Sequence, residues 1–496
     1  MPAPAALTSI PIDRALLDPN LLGAALGDAG SWSTWLAILK AAFGVELTLQ
    51  EAAIYRSVTG GRAPPAGRVR ELWSILGRRS GKSRIAAAIA SYIAAFVDHS
   101  ASLAAGEVGT ILVLAASKIQ AQSVFGYIRA FFETSPILRQ LVVGETTDEL
   151  RLVGNISIAV HTNNYRTIRG RTLLACIFDE VAFWRDETSS VPDVETYRAV
   201  LPALATTGGM LVGISSPYAQ RGLLFTKHRD HFGVDDDSVL VVQAGTSAFN
   251  PNIDPEVLDE ARRDDPESAA AEWDGLFRSD LSTFIDPTAV AKGVDPGVHE
   301  RPFDRNYRYY AFCDPSGGAH DAMTMGIAHA EGERGVLDCV REVRPPFDPH
   351  DVVVEFARLL ERYRISTVTG DRYAAEWVVG AFKASGIRYT TSSLSRSEVY
   401  LEALPALMAG QFILLDNPRL IAQIGNLERR TSRGGRDSVD HMRGAFDDLS
   451  NAALGALNLA ASARPGARLN LPAPKVNLGY AAMKQRYGGR RQRFLG

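Results

Sequence analysis

Cysteine is scarce in this chain of 496 residues. Its three cysteines, Cys176, Cys313 and Cys339, lie far apart in apolar runs and have neither zinc-ligand spacing nor the density of a disulfide framework. No apolar run is long enough to span a bilayer, and residues 1–20 lack the basic start and apolar core of a signal peptide. We therefore expect a reduced, cytosolic setting and no membrane segment.

Acidic residues are absent from residues 464–496, although the whole chain has a formal net charge of −3. This stretch combines basic residues with prolines and glycines, which is typical of a solvated, flexible tail. A docking segment for an acidic partner or for DNA phosphates is the alternative. The net charge itself neither indicates nor excludes nucleic acid, because only local patches decide such binding.

The length of the chain exceeds what one hydrophobic core usually supports, so we expect two or more domains. Short apolar runs alternate with amphipathic stretches, as in sheets wrapped by helices, and buried strands are predicted at 111–116, 173–178, 210–214 and 309–313. We expect an arm at 1–30, an α/β domain at 31–235, a connector at 236–300 with one helix at 256–276, a second α/β domain at 301–463 and the tail at 464–496.

A phosphate-binding loop is indicated by the run Gly77-Arg78-Arg79-Ser80-Gly81-Lys82-Ser83. The run follows an apolar segment at 72–76 and precedes an Ala- and Ile-rich stretch at 85–97, the strand–loop–helix order that such a loop needs. Lys82 would reach the β/γ-phosphate oxygens and the Ser83 hydroxyl would bind Mg²⁺. The loop is shorter than the usual pattern, because Leu76 stands where the first glycine belongs, and it contains arginines.

A second ATPase motif follows the predicted strand at 173–178. Asp179 would hold Mg²⁺ through water, and Glu180 would polarise the water that attacks the nucleotide. Adjacent carboxylates at a strand end could simply be solvated. Their distance along the chain from Lys82 favours the functional interpretation.

Two weaker features fit the same site. The strand at 210–214 ends in Ser215, Ser216 and Pro217, which suits a segment that senses the γ-phosphate, although a plain turn explains it equally well. Arg78 and Arg79 could either shape the loop or supply positive charge in cis to the transferring phosphoryl group, and Arg169 could supply such charge to a neighbouring subunit. A surface arginine that binds DNA phosphate is the alternative for Arg169.

Carboxylates also stand where apolar segments of the second α/β domain end. Asp314 follows 309–313, Asp371 follows 365–370, and Asp447 and Asp448 precede a helical stretch at 449–459. Carboxylates from separate elements that meet at one sheet edge make a hard-oxygen site for Mg²⁺ or Mn²⁺. Two such ions can activate a water and stabilise the leaving oxygen in phosphodiester cleavage. Each aspartate alone would more simply be a cap or turn residue.

Together these motifs resemble those of the large terminase subunit of tailed bacteriophages and prophages, the motor and nuclease that packages DNA. The resemblance covers about residues 30–465. It implies an α/β protein with a RecA-like (ASCE) P-loop ATPase domain, followed by a ribonuclease-H-like nuclease domain. A short phosphate loop that carries arginine is usual in this family, so the departure at Leu76 supports the resemblance.

The resemblance also implies roles for individual residues. Residues 77–83, together with Asp179, would bind ATP and Mg²⁺, Glu180 would be catalytic, and Ser215, Ser216 and Pro217 would form the coupling motif. Arg78 would be an arginine that acts in cis, and Arg169 a finger that acts in trans. Two Mg²⁺ or Mn²⁺ ions would be bound by Asp314, Asp371 and Asp447 or Asp448. Relatives often carry histidine directly before the aspartate pair, where this chain has Phe446. A glutamine near the adenine is suggested by Gln50, which an ordinary helix start would also explain.

As partners the family implies double-stranded DNA, a portal protein and a small terminase subunit. It further implies a homo-oligomeric ring on the procapsid, although the protein could be a monomer in solution. The implied location is the host bacterial cytoplasm and, transiently, the portal vertex. Two other functions remain: a helicase-like DNA-dependent ATPase with a non-cleaving clamp domain, and a prophage remnant that only binds DNA or portal. The acidic residues of the second domain speak against a clamp. Intact Lys82, Asp179 and Glu180 speak against a remnant.

Overall fold

The computed structural model describes residues 10–163, 168, 170–184, 192–319, 321–371, 375–431, 437–442 and 445–463. Two compact units emerge from the chain. The first contains the residues up to His299 together with 393–410 and 416–451, and the second contains 300–392, 411–415 and the residues from Ala452 onward. Arg169 and the predicted tail at 464–496 lie outside the described residues.

The helices follow one another along the described chain. They are α1 (Ile12–Leu17), α2 (Gly23–Leu26), α3 (Ser33–Ala42), α4 (Leu49–Val58), α5 (Lys82–Phe96), α6 (Lys118–Thr134), α7 (Pro136–Arg139), α8 (Pro192–Ala205), α9 (Gly222–His231), α10 (Thr246–Phe249), α11 (Pro255–Asp264), α12 (Pro266–Glu272), α13 (Pro287–Lys292), α14 (Pro349–Arg362), α15 (Ala375–Ala384), α16 (Arg396–Met408), α17 (Pro418–Gly425) and α18 (Asp448–Ser462).

The strands of the described chain are β1 (Glu71–Leu76), β2 (Gly109–Ala115), β3 (Val142–Glu145), β4 (Glu149–Leu152), β5 (Ile156–Thr162), β6 (Thr172–Asp179), β7 (Met210–Ser215), β8 (Val239–Ala244), β9 (Leu281–Thr283), β10 (Val294–Asp295), β11 (Tyr309–Asp314), β12 (Met323–Glu331), β13 (Arg334–Val343), β14 (Thr367–Gly370), β15 (Arg388–Thr391), β16 (Phe412–Leu415), β17 (Leu427–Thr431) and β18 (Asp437–His441).

The main sheet of the first unit has the strand order β3-β4-β5-β2-β6-β7-β1-β8. The strands from β5 to β8 in this order are parallel, and β7 lies between β1 and β6. The loops that follow β1, β6 and β7 therefore leave the same edge of the sheet. This arrangement confirms the RecA-like class predicted for the first α/β domain.

The central strands are nearly continuous apolar runs, which is typical of parallel strands covered on both faces. Every residue of β2 and β7 is buried. Helix α5, which packs on this sheet, presents alanines such as Ala87 and Ala94 that allow a close approach. The predicted strands at 111–116, 173–178 and 210–214 correspond to β2, β6 and β7.

The segments that flank this sheet are more ordered than the sequence patterns indicate. Residues 10–30, predicted as part of an arm, contribute α1 and α2, whose Ile12 and Leu26 are buried in the main core. The region predicted as a connector supplies β8, which pairs with β1. The helix predicted at 256–276 is instead two helices, because Pro266 has no N–H to continue α11 and favours an extended Asp265 before it.

A small antiparallel sheet, β18-β17-β9, also belongs to the first unit. Helix α16 begins beside it, where the N–H of Val439 donates to the Ser397 hydroxyl at 2.8 Å. A capping box between Ser395 and Glu398 starts this helix. The start of α16 is therefore fixed both by its own cap and by β18.

The strands of the second unit follow the order β16-β13-β12-β11-β14-β15. β11, β12 and β13 form an antiparallel meander. β14 is parallel to β11, and β15 is parallel to β14. This mixed sheet confirms the predicted ribonuclease-H-like class. Its core includes Phe356 of α14 and Phe382 of α15. A side chain at Gly455 of α18 would lie 2.4 Å from the ring of Phe312, so the glycine lets helix and strand touch.

None of the helices in the described ranges combines the length and hydropathy needed to cross a membrane. All three cysteines are buried as free thiols.

Replacement of Gly213 by alanine should destabilise the first unit. A Cβ at this position of β7 would lie 2.2 Å from the ring of Trp73, which is 0% exposed and has no room to yield. We expect a loss of about 1–3 kcal/mol in the free energy of unfolding, measured by denaturant titration of the full chain. Gly126→Ala, inside α6 with nothing within 4 Å of the new Cβ, is the control. It should be neutral or gain up to about 1 kcal/mol. An unchanged midpoint for Gly213→Ala would contradict this packing.

Candidate nucleotide and metal sites

The predicted phosphate loop joins β1 to the first residue of α5, Lys82. Gly81 precedes the helix with φ +80°, a conformation that glycine adopts freely. A side chain there would also meet the Trp32 ring at 2.6 Å. Arg79 has φ +63°, which is uncommon for a residue with a side chain. The loop therefore turns sharply enough for its backbone to approach a ligand closely.

Three side chains, from α3 and from α10 with the residue after it, hold the carbonyl groups of this loop. The Trp35 indole donates to the Ser80 carbonyl at 2.7 Å. Thr246 donates to the Arg78 carbonyl at 2.7 Å, and Asn250 donates to the Arg79 carbonyl at 2.9 Å. Because its carbonyls are already bonded, the loop keeps its shape without a ligand.

The first half of the loop packs directly on the chain around α12. A Cβ at Gly77 would lie 2.4 Å from both the Thr246 hydroxyl and the Trp273 carbonyl. The Arg78 guanidinium is 3.1 Å from the Glu272 carboxylate, and its backbone N–H donates to the carbonyl of the same residue. No motif marked Thr246 or Glu272 as part of the site, since both are ordinary residues far from the loop in sequence.

Lys82 is buried, with 5% of its surface exposed. Its ammonium group donates to the Leu76 carbonyl at 3.1 Å, the Gly77 carbonyl at 2.9 Å and the Ser216 hydroxyl at 3.0 Å. These acceptors match the three donors of an ammonium group. Burial lowers the pKa of Lys82, and the charge of Glu180, 3.7 Å away, partly opposes that shift.

Asp179 is the last residue of β6 and is 1% exposed. It accepts a hydrogen bond from Ser83, and its Oδ1 has no hydrogen-bond partner among the described residues. Burial, and then the charge of Glu180, raise the pKa of Asp179 to about 7. A buried carboxylate oxygen beside a serine hydroxyl is a hard-oxygen donor set, so these two residues fit Mg²⁺.

Glu180 has a left-handed backbone, with φ +52°. Its carboxylate accepts from the Ser216 N–H at 3.0 Å and from the Ser215 hydroxyl at 3.2 Å. Such a conformation costs on the order of 1–3 kcal/mol and persists where its surroundings fix it. The predicted base, the predicted lysine and the predicted coupling segment thus form one hydrogen-bonded group, which buried Pro217 follows.

Two cavities border the loop in the first unit. One of about 660 Å³ is lined by Arg78, Arg79, Lys82, Ser83, Glu180 and neighbours that include Gln120 and Tyr127. The other, of about 340 Å³, is lined by Trp32, Phe249 and Asn250 among others. Both volumes are within the range of small-molecule pockets, about 300–1,000 Å³. Gln50 is exposed at the start of α4 and lines neither cavity.

Two of the predicted nuclease carboxylates lie at the ends of neighbouring strands in the second unit. Asp314 ends β11 and is 5% exposed, and Asp371 directly follows β14. These strands are parallel neighbours in which Cys313 pairs with Gly370, and the Asp371 N–H donates to the Cys313 carbonyl at 3.3 Å. Both carboxylates therefore stand at the same end of adjacent strands, as the sequence predicts.

Asp447 and Asp448, which belong to the first unit, stand at the start of α18. Arg396 donates to the Asp447 carboxylate at 2.9 Å and Tyr400 donates to it at 2.7 Å. His441 Nδ1 lies 3.3 Å from the same carboxylate. Burial would raise the pKa of Asp447, but these three partners outweigh it and hold that pKa below its usual value.

A histidine thus lies beside the aspartate pair although Phe446 occupies the position directly before it. Phe446 is 46% exposed. His441 comes from β18, five positions earlier in the chain than that residue. Sequence patterns missed His441, Arg396 and Tyr400 because only the fold brings them to Asp447. A histidine a few residues before the pair is the one signal that could have suggested the first of them.

No family model matches this chain, and no curated protein sequence matches it. Its structural neighbours include the large terminase of bacteriophage HK97, at 16% identity and a TM-score of 0.37 over 84% of this chain and 95% of that chain. The large terminase nuclease of the thermophilic phage G20c with bound magnesium is 14% identical, with a TM-score of 0.31 over 36% of this chain and 95% of that chain. An ATPase domain variant of the Thermus phage P74-26 large terminase is 18% identical, with a TM-score of 0.34 over 48% of this chain and 98% of that chain.

Replacement of Thr246 by valine should loosen the phosphate loop. The change keeps the shape of the side chain and removes the hydrogen bond to the Arg78 carbonyl. A bond of this kind contributes about 1 kcal/mol, so exchange of the loop amides at 78–81 should quicken about fivefold. Hydrogen–deuterium exchange with mass spectrometry measures this. Thr226→Val, whose hydroxyl donates to the Gly222 carbonyl within α9, is the control. Equal exchange in all three proteins would exclude a structural role for Thr246 in the loop.

Proposed function

We propose that this chain is an ATP-driven motor that translocates double-stranded viral DNA into a procapsid and cuts concatemeric DNA with a two-metal endonuclease. The observation that carries the proposal is the group formed by Lys82, Glu180 and Ser216 at one edge of a RecA-like sheet. An ATPase needs a phosphate-binding cation, a base and a responsive segment in contact. The carboxylates of the second unit supply the nuclease half of the proposal.

ATP binds with its β- and γ-phosphates in the loop at 77–83. Lys82 exchanges its hydrogen bonds to the Leu76 and Gly77 carbonyls and to the Ser216 hydroxyl for bonds to phosphate oxygens. Ser83 and Asp179 hold Mg²⁺, which neutralises phosphate charge when bound. Glu180 orients the attacking water and takes its proton.

Hydrolysis is coupled to movement through Ser216. Its hydroxyl accepts from Lys82 and its N–H donates to Glu180. A nucleotide that draws Lys82 toward its phosphates removes the first of these bonds and leaves the second in place. The end of β7 therefore experiences different forces with the nucleotide bound and without it.

Arg78 supplies positive charge in cis to the transferring phosphoryl group. Its ion pair with Glu272 is half exposed, and such surface pairs contribute only about 0–1 kcal/mol. The guanidinium can therefore leave Glu272 at little cost when the nucleotide arrives. The trans role of Arg169 stays a prediction.

Asp314 and Asp371 would hold Mg²⁺ or Mn²⁺ for cleavage of the phosphodiester. The further ligand that the family resemblance implies, Asp447 or Asp448, stays a prediction. Two such ions lower the pKa of a bound water and neutralise the leaving oxygen. The role of the two aspartates is to fix the ions at the carboxyl ends of β11 and β14.

The partners of the motor are proposed on the family resemblance alone. They are double-stranded DNA, the portal protein and the small terminase subunit, in a homo-oligomeric ring on the procapsid. The proposed place of action is the host bacterial cytoplasm and the portal vertex.

Lys82→Ala should lower the rate of ATP hydrolysis by at least about a hundredfold, because the variant lacks the cation that binds the transferring phosphate. Manganese-dependent cutting of plasmid DNA should persist, since the lysine and the nuclease carboxylates are proposed to serve separate reactions. Release of phosphate and gel analysis of the plasmid measure the two activities. Lys292→Ala, an exposed lysine at the end of α13, is the control. Unchanged ATP hydrolysis by Lys82→Ala would refute the loop assignment.

Asp314→Asn and Asp371→Asn should have the opposite effect. Loss of a metal-binding carboxylate removes several kcal/mol of transition-state stabilisation, so plasmid cutting should fall at least about a hundredfold. ATP hydrolysis should continue at its usual rate. Glu333→Gln, an exposed carboxylate in the turn between β12 and β13, is the control. Undiminished cutting by either variant would break the nuclease assignment.

A further inference from the structure

A cavity of about 680 Å³ lies within the second unit, apart from the proposed nuclease carboxylates. His329 of β12, which lines this cavity, pairs with Tyr309 at the start of β11. Asp314 ends the same strand five residues later, a distance of about 17 Å along an extended strand. The cavity therefore belongs to the opposite end of β11, and no sequence motif marked it.

The carboxylates that line this cavity already have hydrogen-bond donors from the protein. The Glu331 carboxylate accepts from the Tyr307 hydroxyl at 3.1 Å. The Asp338 carboxylate lies 2.8 Å from Nδ1 of His329. Asp304 accepts from the backbone N–H two positions further along the chain at 2.9 Å. The acidic side chains of the lining are thus bonded within the second unit.

Two arginines of the lining are not bonded in this way. Arg305 and Arg364 are exposed, and neither guanidinium forms an ion pair or a hydrogen bond with another residue of the described ranges. The Arg364 guanidinium carbon lies 5.0 Å from the centroid of the Phe303 ring. Because a guanidinium binds phosphate and carboxylate oxygens in pairs, the cavity offers two such groups to an anion.

The end of α14 fixes the position of Arg364. This residue has a left-handed backbone, with φ +54°, at a place after a helix that glycine usually occupies. Its N–H donates to the Glu361 carbonyl at 3.0 Å, and the N–H of Ile365 donates to the Leu360 carbonyl at 2.9 Å. A residue with a side chain is strained in this conformation. The chain therefore carries a guanidinium at the cavity at a cost in stability.

His329 gives a second, independent indication of a ligand. It is 4% exposed, and its Nδ1 faces the Asp338 carboxylate, whose ionised form can only accept. Nε2 is buried as well and has no hydrogen-bond partner among the described residues. Buried polar atoms nearly always have a partner. An unpaired Nε2 on a residue that lines a cavity therefore indicates a group that the cavity receives.

Aromatic side chains complete the lining. The ring centroids of Tyr307 and His329 are 4.1 Å apart, and those of Phe303 and Tyr309 are 5.5 Å apart. Tyr307 and Phe303 are partly exposed, so their faces are open to a planar group. Bases bind on aromatic faces of this kind. The volume is within the range of small-molecule pockets, about 300–1,000 Å³.

We propose that this cavity binds a nucleoside monophosphate group, with Arg305 and Arg364 on the phosphate and the rings of Tyr307 and Phe303 on the base. Nε2 of His329 forms a hydrogen bond with the same ligand. The group has two sources, a free nucleotide and the 5′-phosphorylated end of a DNA strand. The choice of a nucleotide among anions with a planar ring rests on the proposed function, in which the chain handles ATP and DNA.

Equilibrium dialysis of dAMP against the full chain tests the site. Every protein carries Lys82→Ala and the buffer contains EDTA, so that neither the phosphate loop nor a metal ion at the nuclease carboxylates holds the nucleotide. We expect saturable binding of one dAMP per chain. Deoxyadenosine and inorganic phosphate should each compete at least about tenfold more weakly, since each lacks half of the contacts. Absence of saturable binding would refute the proposal.

Variants then locate the site. Arg364→Gln should weaken the binding of dAMP and of inorganic phosphate at least about tenfold, because the lost bond is to a charged group. Tyr307→Leu should weaken dAMP at least about fivefold and leave inorganic phosphate unchanged. Arg388→Gln, at an exposed arginine of β15 in the same unit, is the matched control and should bind dAMP as its parent does. If Arg364→Gln binds as well as this control, the assignment is wrong.

Oligonucleotides distinguish the two sources. If the ligand is a DNA end, a 5′-phosphorylated strand displaces dAMP at a lower concentration than unlabelled dAMP does. If it is a free nucleotide, dAMP is the better competitor. Both results support the site, whereas equal competition by a strand with a 5′-hydroxyl would overturn the phosphate assignment. Binding of dAMP by a chain that neither hydrolyses ATP nor cuts DNA would refute the proposed function alone. Both activities without binding of dAMP would refute this inference alone.

Discussion

Burial of the Lys82 ammonium group constrains which strands of the first unit can be neighbours. Removing the charge of Lys82 from water is costly unless acceptors surround it, and it has the Leu76 and Gly77 carbonyls, the Ser216 hydroxyl and the nearby Glu180 carboxylate. Those acceptors come from three strand ends, so the requirement of one side chain is met only if β1, β6 and β7 are neighbours. Their order in the sheet provides that. The tight turn at Gly81 and the left-handed backbone of Glu180 follow from the same need to converge on one point.

Much of this site could be predicted from the sequence because its chemistry lies in short local runs. Three kinds of local run can be interpreted without knowledge of the fold. They are the glycines and lysine of the loop at 77–83, the Asp179-Glu180 pair at the end of an apolar strand, and the aspartates at the ends of β11 and β14. Short continuous apolar runs likewise identified β2, β6 and β7. The predicted fold class is confirmed for both α/β units.

The parts that escaped prediction depend on contacts between distant residues of ordinary type. Thr246 and Glu272 support the loop across more than a hundred and sixty positions of chain, and nothing in their neighbourhood marks them. Arg396 and Tyr400 reach Asp447 in the same way. The break between α11 and α12 is different, since Pro266 signalled it in the sequence. The roles of the individual site residues and the positions of the domain boundaries stay predictions.

The missing side chain of Gly77 has a mechanical consequence. A Cβ there would lie 2.4 Å from both the Thr246 hydroxyl and the Trp273 carbonyl. The phosphate loop therefore contacts the chain after α12 directly, with no side-chain atoms of Gly77 between them. Close-packed contacts of this kind transmit displacement rather than absorb it. A shift of the loop by a fraction of an ångström must therefore move the segment at 272–275 as well. The loop and this segment therefore behave as one stiff part.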